Sequence, residues 1–185
     1  MIFDLPTALE FGGREWEINT DYRDIITILE AFDDPELTDQ EKLYVCLHNL
    51  YKDFDDIPGS LLKDAYDAAT KFIDRGDKES KQPRKIMDWA QDAPLLFPAI
   101  NRVAGFEVRS VDYMHWWTFI GLFMEIHDSV YSTVLSLRQK KSRGKKLEKH
   151  EKEFWQSNRA ICELKRKESE SEKAEKERLK KILGG

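Results

Sequence analysis

Five carboxylates fall within nine residues, Asp33, Asp34, Glu36, Asp39 and Glu41. A run of that density is the first place to look for a hard cation such as calcium. The ligand spacing and central glycine of a calcium loop are missing, so it reads as a solvated acidic turn. The four histidines, His48, His115, His127 and His150, give no HxxxH spacing, which would set two zinc ligands on one helical face. Cys46 and Cys162 form no CxxC pair and read as free thiols of a reducing compartment. Gly12-Gly13 lacks the Gly-Lys-Ser/Thr sequence of a phosphate loop, and no serine sits in a GxSxG elbow. The expectation is therefore no catalytic residue, no metal, no cofactor and no enzyme.

His115 stands in the densest aromatic run, Asp112-Tyr113-Met114-His115-Trp116-Trp117-Thr118-Phe119. Apolar residues continue through Ile120, Leu122, Phe123, Met124 and Ile126. The run predicts a helix that is apolar almost all round, capped by Ser110 with Asp112 in its first turn. Such a helix belongs at the centre of a domain, where other elements cover every face. Tyr113, Trp116, Trp117 and Ile120 are the expected structural core, with His115 a satisfied, partly buried neighbour.

The elements around it are mostly helical. Alternation on both sides of Gly12-Gly13 predicts a hairpin over residues 8–18. A helix from about Asp21 carries Tyr22, Ile25, Ile26, Leu29 and Phe32 as one stripe and ends at Asp33-Asp34-Pro35. Thr38 and Glu41 form a capping box for a second helix with Leu43, Leu47, Leu50 and Tyr51. A third, with Ala65, Ala68, Ala69, Phe72 and Ile73, stops at Gly76, before a charged loop over residues 77–84. A helix from about Ile86 is expected to break at Pro94 and Pro98, giving a second piece that Gly105 closes. A shorter helix follows His127-Asp128-Ser129. The fold class is mainly α: an irregular multi-helix domain with a small N-terminal β-hairpin and a charged C-terminal helical tail.

Charge divides the chain unequally. Residues 1–137 hold 13 Lys+Arg against 26 Asp+Glu, whereas residues 138–185 hold 17 against 9. This predicts an acidic helical domain over residues 1–138 and a basic, then mixed-charge, tail over residues 139–185. The tail opens on a basic patch, Arg138, Lys140, Lys141, Arg143, Lys145 and Lys146. It favours helix, with i,i+4 pairs such as Glu163/Lys167, yet has an apolar stripe only at Phe154, Trp155, Ile161 and Leu164. Those four are the candidate partner-binding residues, on a segment that frays or orders on a partner. The basic patch with its aromatics raises nucleic-acid binding, against which stand a pI near 5.5 and the acidic body. No apolar stretch reaches the ~18 residues of a membrane span, and no basic leader opens the sequence.

Four stretches together resemble a known family. Tyr113-Met114-His115-Trp116-Trp117 with Phe119 is similar to the signature of the bacteriophage gene-product-fifteen family, from long-tailed phages and prophages of Gram-positive bacteria. In the same order, Asp21-Tyr22-Arg23 through Thr38-Asp39 resembles its beginning and Met87-Asp88-Trp89-Ala90-Gln91-Asp92-Ala93 its middle. Leu137-Arg138 and then Lys152-Glu153-Phe154-Trp155 resemble its end. The resemblance spans about residues 1 to 160. It implies a non-enzymatic tail assembly chaperone that oligomerises, binds the tape-measure protein, and gives way to tail-tube protein. Such a protein acts in the host cytoplasm and is absent from the mature virion. A small adaptor retained in the tail is the alternative.

Overall fold

The computed structural model describes residues 4–75 and 85–165, and beyond them Ser169, Glu170, Glu172, Ala174 and Arg178. The expected stop at Gly76, the loop over residues 77–84 and Lys167 lie outside the described residues.

The N-terminal hairpin pairs β1 (Ala8–Phe11) with β2 (Arg14–Glu17), Phe11 opposite Arg14. Both turn residues have positive φ, 60° at Gly12 and 76° at Gly13, the conformation a two-residue hairpin turn demands. A Cβ at Gly12 would sit 2.6 Å from Leu61 Cδ1, so the end of that leucine side chain would have to turn aside. Leu9, Phe11 and Trp16 share the inward face, with the Phe11 and Trp16 rings stacked at 5.3 Å. The outer edge of β2 is covered by residues 50–52, through Lys52 N–H to Glu17 O and an Ile18–Tyr51 bridge.

Helices α1 (Tyr22–Phe32), α2 (Asp39–Leu50) and α3 (Leu62–Ile73) follow, successive ones in contact. Asp21 caps α1, and the Thr38/Glu41 capping box opens α2 as the sequence predicts. On α1 the fully buried positions are Tyr22, Ile25 and Ile28, so the stripe is rotated toward Ile28, and Ile26 and Leu29 lie at its margin.

α4 (Trp89–Ala104) is one continuous helix and carries both prolines internally, where sequence predicted two pieces. The carbonyls deprived of an N–H partner are those of Ala90 and Pro94, four residues before each proline. Ala90, Pro94 and Pro98 all lie on the exposed face, so water can satisfy those groups. The other face buries Asp92, Leu96, Ala99 and Ile100.

The aromatic helix also starts later than expected. Val108–Ser110 is a single 3-10 turn, residues 111–115 are non-helical, and α5 runs Trp116–Met124. Tertiary pairing overrides the local pattern. Tyr22 N–H donates to Met114 O, Trp116 N–H to Thr20 O, and Met114 N–H to the Asp21 carboxylate. Those bonds hold residues 113–115 extended against residues 20–22, and His115 replaces Ser110 as the cap. Tyr113 consequently points outward, 56 % exposed, its hydroxyl 2.6 Å from Thr20 Oγ1, and is not a core residue. Trp116 and Phe119 are buried, Phe119 stacked on Tyr22 at 4.2 Å, while Trp117 and Ile120 are half-buried.

α6 (Val130–Ser142) opens with a Ser129/Ser132 capping box, and α7 (Lys149–Ser157) and α8 (Arg159–Cys162) close the described body. The expected boundary at residue 138 falls inside α6. Cys162, far beyond it, is fully buried against the same body.

Candidate partner-binding surfaces

The histidine of the aromatic segment is used structurally. His115 Nδ1 accepts from Trp117 N–H at 3.0 Å, which leaves the ring proton on Nε2 to donate to Pro6 O at 3.0 Å. The ring thus ties the residues ahead of β1 to the start of α5, packed edge-on against Phe72 and Trp117. Among the described residues no group of three or more His, Cys, Asp or Glu gathers as for a metal. Glu41 is occupied as the α2 cap, so the acidic turn is partly a capping device.

Burial pushes the Cys46 thiol up to about 12 and raises that of Cys162 as well. Only the thiolate reacts. Native protein should therefore resist an aromatic disulfide reagent at pH 8, and both thiols should label on addition of denaturant. Rapid native labelling of either would show that its burial is not maintained.

Between β1 and α3 lies an open groove of about 500 Å³, within the usual ~300–1,000 Å³ of binding clefts. Leu9, Phe11, Phe72, Ala68 and Trp117 supply its apolar floor and wall. Glu10, Asp64 and Asp67 stand on the rim, with Lys71 and Arg75 also lining it. Trp117 is fixed by its indole N–H donating to Phe72 O at 2.9 Å. Of the three small α3 residues, Ala65 and Ala69 are fully buried, and only Ala68 opens into the groove. The separate contributors, β1, α3 and the start of α5, lie far apart in sequence, and nothing local announces their meeting.

A second constellation lies inside the body. Arg138, expected in the basic patch, is buried and forms a bidentate pair with buried Asp92, at 2.7 and 2.9 Å. Its Nε donates to Cys162 O at 2.8 Å, Nη1 to Ile86 O at 3.1 Å and Nη2 to Ile161 O at 2.7 Å. All five guanidinium N–H groups are thereby used. Gln91 extends the grip, donating to Glu163 O at 2.7 Å and accepting from Lys165 N–H at 2.8 Å. One side chain of α4, Gln91, and one of α6, Arg138, thus read the backbone of residues 161–165, with Asp92 holding the arginine. The sequence did hold a signal: Asp92 and Arg138 each sit on an apolar stripe, at helical spacing from Leu96 and Val134.

The rest of the expected basic patch is also divided. Lys140 pairs with Glu151, and Lys141 Nζ lies 3.8 Å from the Trp155 ring centroid. Arg143, Lys145 and Lys146 remain exposed. Phe154, Trp155, Ile161 and Leu164 are all half-buried in or beside α7 and α8. Glu163 pairs with Arg159 at 2.7 Å, four residues earlier. Among the described residues no helix is long and apolar enough to cross a membrane.

The described residues form a mainly helical body with one small hairpin, an open groove with an apolar floor, and a buried polar clamp on its own backbone. The family described as Bacteriophage Gp15 protein matches residues 2–164. The chain belongs to that bacteriophage family, one of phage structure and assembly. No curated protein and no solved structure matches it.

Proposed function

We propose that this protein is a tail assembly chaperone that binds the tape-measure protein and keeps it in solution while tail-tube subunits assemble. The observation that carries the reading is the β1–α3 groove: an open cleft of about 500 Å³ with Leu9, Phe72 and Trp117 on its floor and wall, and Glu10, Asp64, Asp67, Lys71 and Arg75 around it. An amphipathic client helix would lay its apolar stripe on Leu9, Phe72 and Trp117, with basic flanking residues beside Glu10 and Asp64. Net charge of −5 keeps a multi-copy coat soluble. The half-buried Phe154, Trp155, Ile161 and Leu164 provide a further contact between copies or with tube protein. The protein acts in the host cytoplasm and leaves before the virion matures. Nucleic-acid binding is the weaker reading, because Arg138, Lys140 and Lys141 are already committed internally.

The test is co-expression with the neighbouring tape-measure protein, followed by size-exclusion chromatography. Wild-type protein should co-elute with soluble client. Ala68→Arg, which fills the groove with a bulky cation, should lower the soluble client at least tenfold while leaving the helical circular dichroism unchanged. Unchanged solubilisation would remove the groove from the function. Near-stoichiometric protein in purified virions would favour the retained adaptor.

A further inference from the structure

We propose that the groove reads the charge order of its occupant: the client segment it takes is an amphipathic helix with cations at one end of its apolar stripe and carboxylates about two turns further along. The proposal rests on the groove being the client site. The two signs around the groove are sorted to opposite ends. At one end Gly12 meets Leu61; at the other His115 binds Pro6 O and packs on Phe72. β1 therefore runs antiparallel to α3 along the trough. Glu10 stands at the Asp64 end, while Lys71 and Arg75 stand at the end formed by Pro6, Phe72 and Trp117.

All of these charged groups are exposed. Glu10, Asp64 and Lys71 make no ion pair among the described residues. Asp67, between the two ends, already meets Lys63 at 3.1 Å. From Asp64 to Lys71 is about 10 Å along α3, at ~1.5 Å per residue. Arg75 follows just past the helix end, with φ of 56°. That is the left-handed conformation usually given to glycine at a helix C-terminus, so an arginine held there points to a role for its side chain. A helix of one sign would be repelled at one end of the groove, and a helix with both signs in order is attracted at both. The apolar floor supplies contact, and the charges decide which helix lies on it and which way round.

The probes are three fluorescein-labelled peptides of about four helical turns, sharing one leucine stripe. The first carries a lysine pair and a glutamate pair about two turns apart; the second has lysines at both places and the third glutamates at both. In anisotropy titrations with the full chain at low salt, the first should bind about tenfold tighter than either other. Lys71→Glu/Arg75→Glu should transfer the preference to the all-lysine peptide, and Glu10→Lys/Asp64→Lys to the all-glutamate peptide, with circular dichroism unchanged in both. Arg75→Gly should weaken binding of the first peptide without lowering the urea midpoint, which an arginine kept only for folding would not do. Equal binding of all three peptides by the wild type, binding of none, or a preference that does not transfer overturns the proposal. Charge-ordered peptide binding beside normal client solubilisation by Ala68→Arg would keep the charge order and discard the client site. Loss of soluble client with Ala68→Arg beside undiscriminated peptides would keep the client site and discard the charge order.

Discussion

Replacing Arg138 with alanine is expected to lower the unfolding free energy by about 3–5 kcal/mol, the usual loss when one partner of a buried pair is removed. That is a large part of the ~5–15 kcal/mol that holds a typical domain together. The loss has two parts. The Asp92 carboxylate is left buried without its cation, keeping among the described residues the Asp88 N–H bond at 3.0 Å. The carbonyls of Ile86, Ile161 and Cys162 lose their donor together. Arg138→Lys should recover little, since an ammonium has three donors and cannot form the planar fork. The double variant Asp92→Leu/Arg138→Met should recover part, because the orphaned charge is gone, but not all, because the three carbonyls stay unpaired. Urea titration gives the free energies. Limited trypsin digestion of Arg138→Ala should show early cleavage at Lys165, within the backbone stretch the clamp holds, and at Arg159 just ahead of it. A loss below about 1 kcal/mol would mean that the pair is not desolvated as the geometry indicates.

The second large effect separates two adjacent tryptophans. Trp116 is 2 % exposed, rests on Phe119 and Trp89, and donates its indole N–H to Ile73 O at 2.9 Å. Trp116→Ala should cost about 3–5 kcal/mol, through the cavity and the unpaired Ile73 carbonyl. Trp117 is half-buried and walls the groove, so Trp117→Ala should cost clearly less stability. It should instead reduce client solubilisation to a degree comparable with Ala68→Arg. The comparison is made by urea unfolding and co-expression in parallel. Equal stability losses at the two positions, with client binding intact for Trp117→Ala, would contradict this division of roles.

Much of the fold was legible because its signals are local. The Gly12-Gly13 turn, the Thr38/Glu41 capping box and the apolar stripes of α1 to α3 each depend on residues within a few positions of one another. The errors arose where distant segments meet. Residues 113–115 carry helical-looking apolar content, yet their backbone is taken by residues 20–22 across the fold. Pro94 and Pro98 look like breaks, yet their four-residue spacing puts both on the wet face of one helix. Arg138 opens a basic run in sequence, but its apolar-stripe position carries it inward to Asp92. The family resemblance was legible for a different reason: it rests on residue identities and order, which need no coordinates.

The sequence by itself determined the helical class, the hairpin, the uneven charge and the family, because periodicity, turn chemistry and composition act over short range or in bulk. Only the tertiary structure decided which tryptophan is buried, which arginine is a clamp and where an open groove forms. Those properties depend on side chains brought together from tens to more than a hundred residues apart, and burial, which sets their energetics, is a property of the assembled fold and not of any one segment.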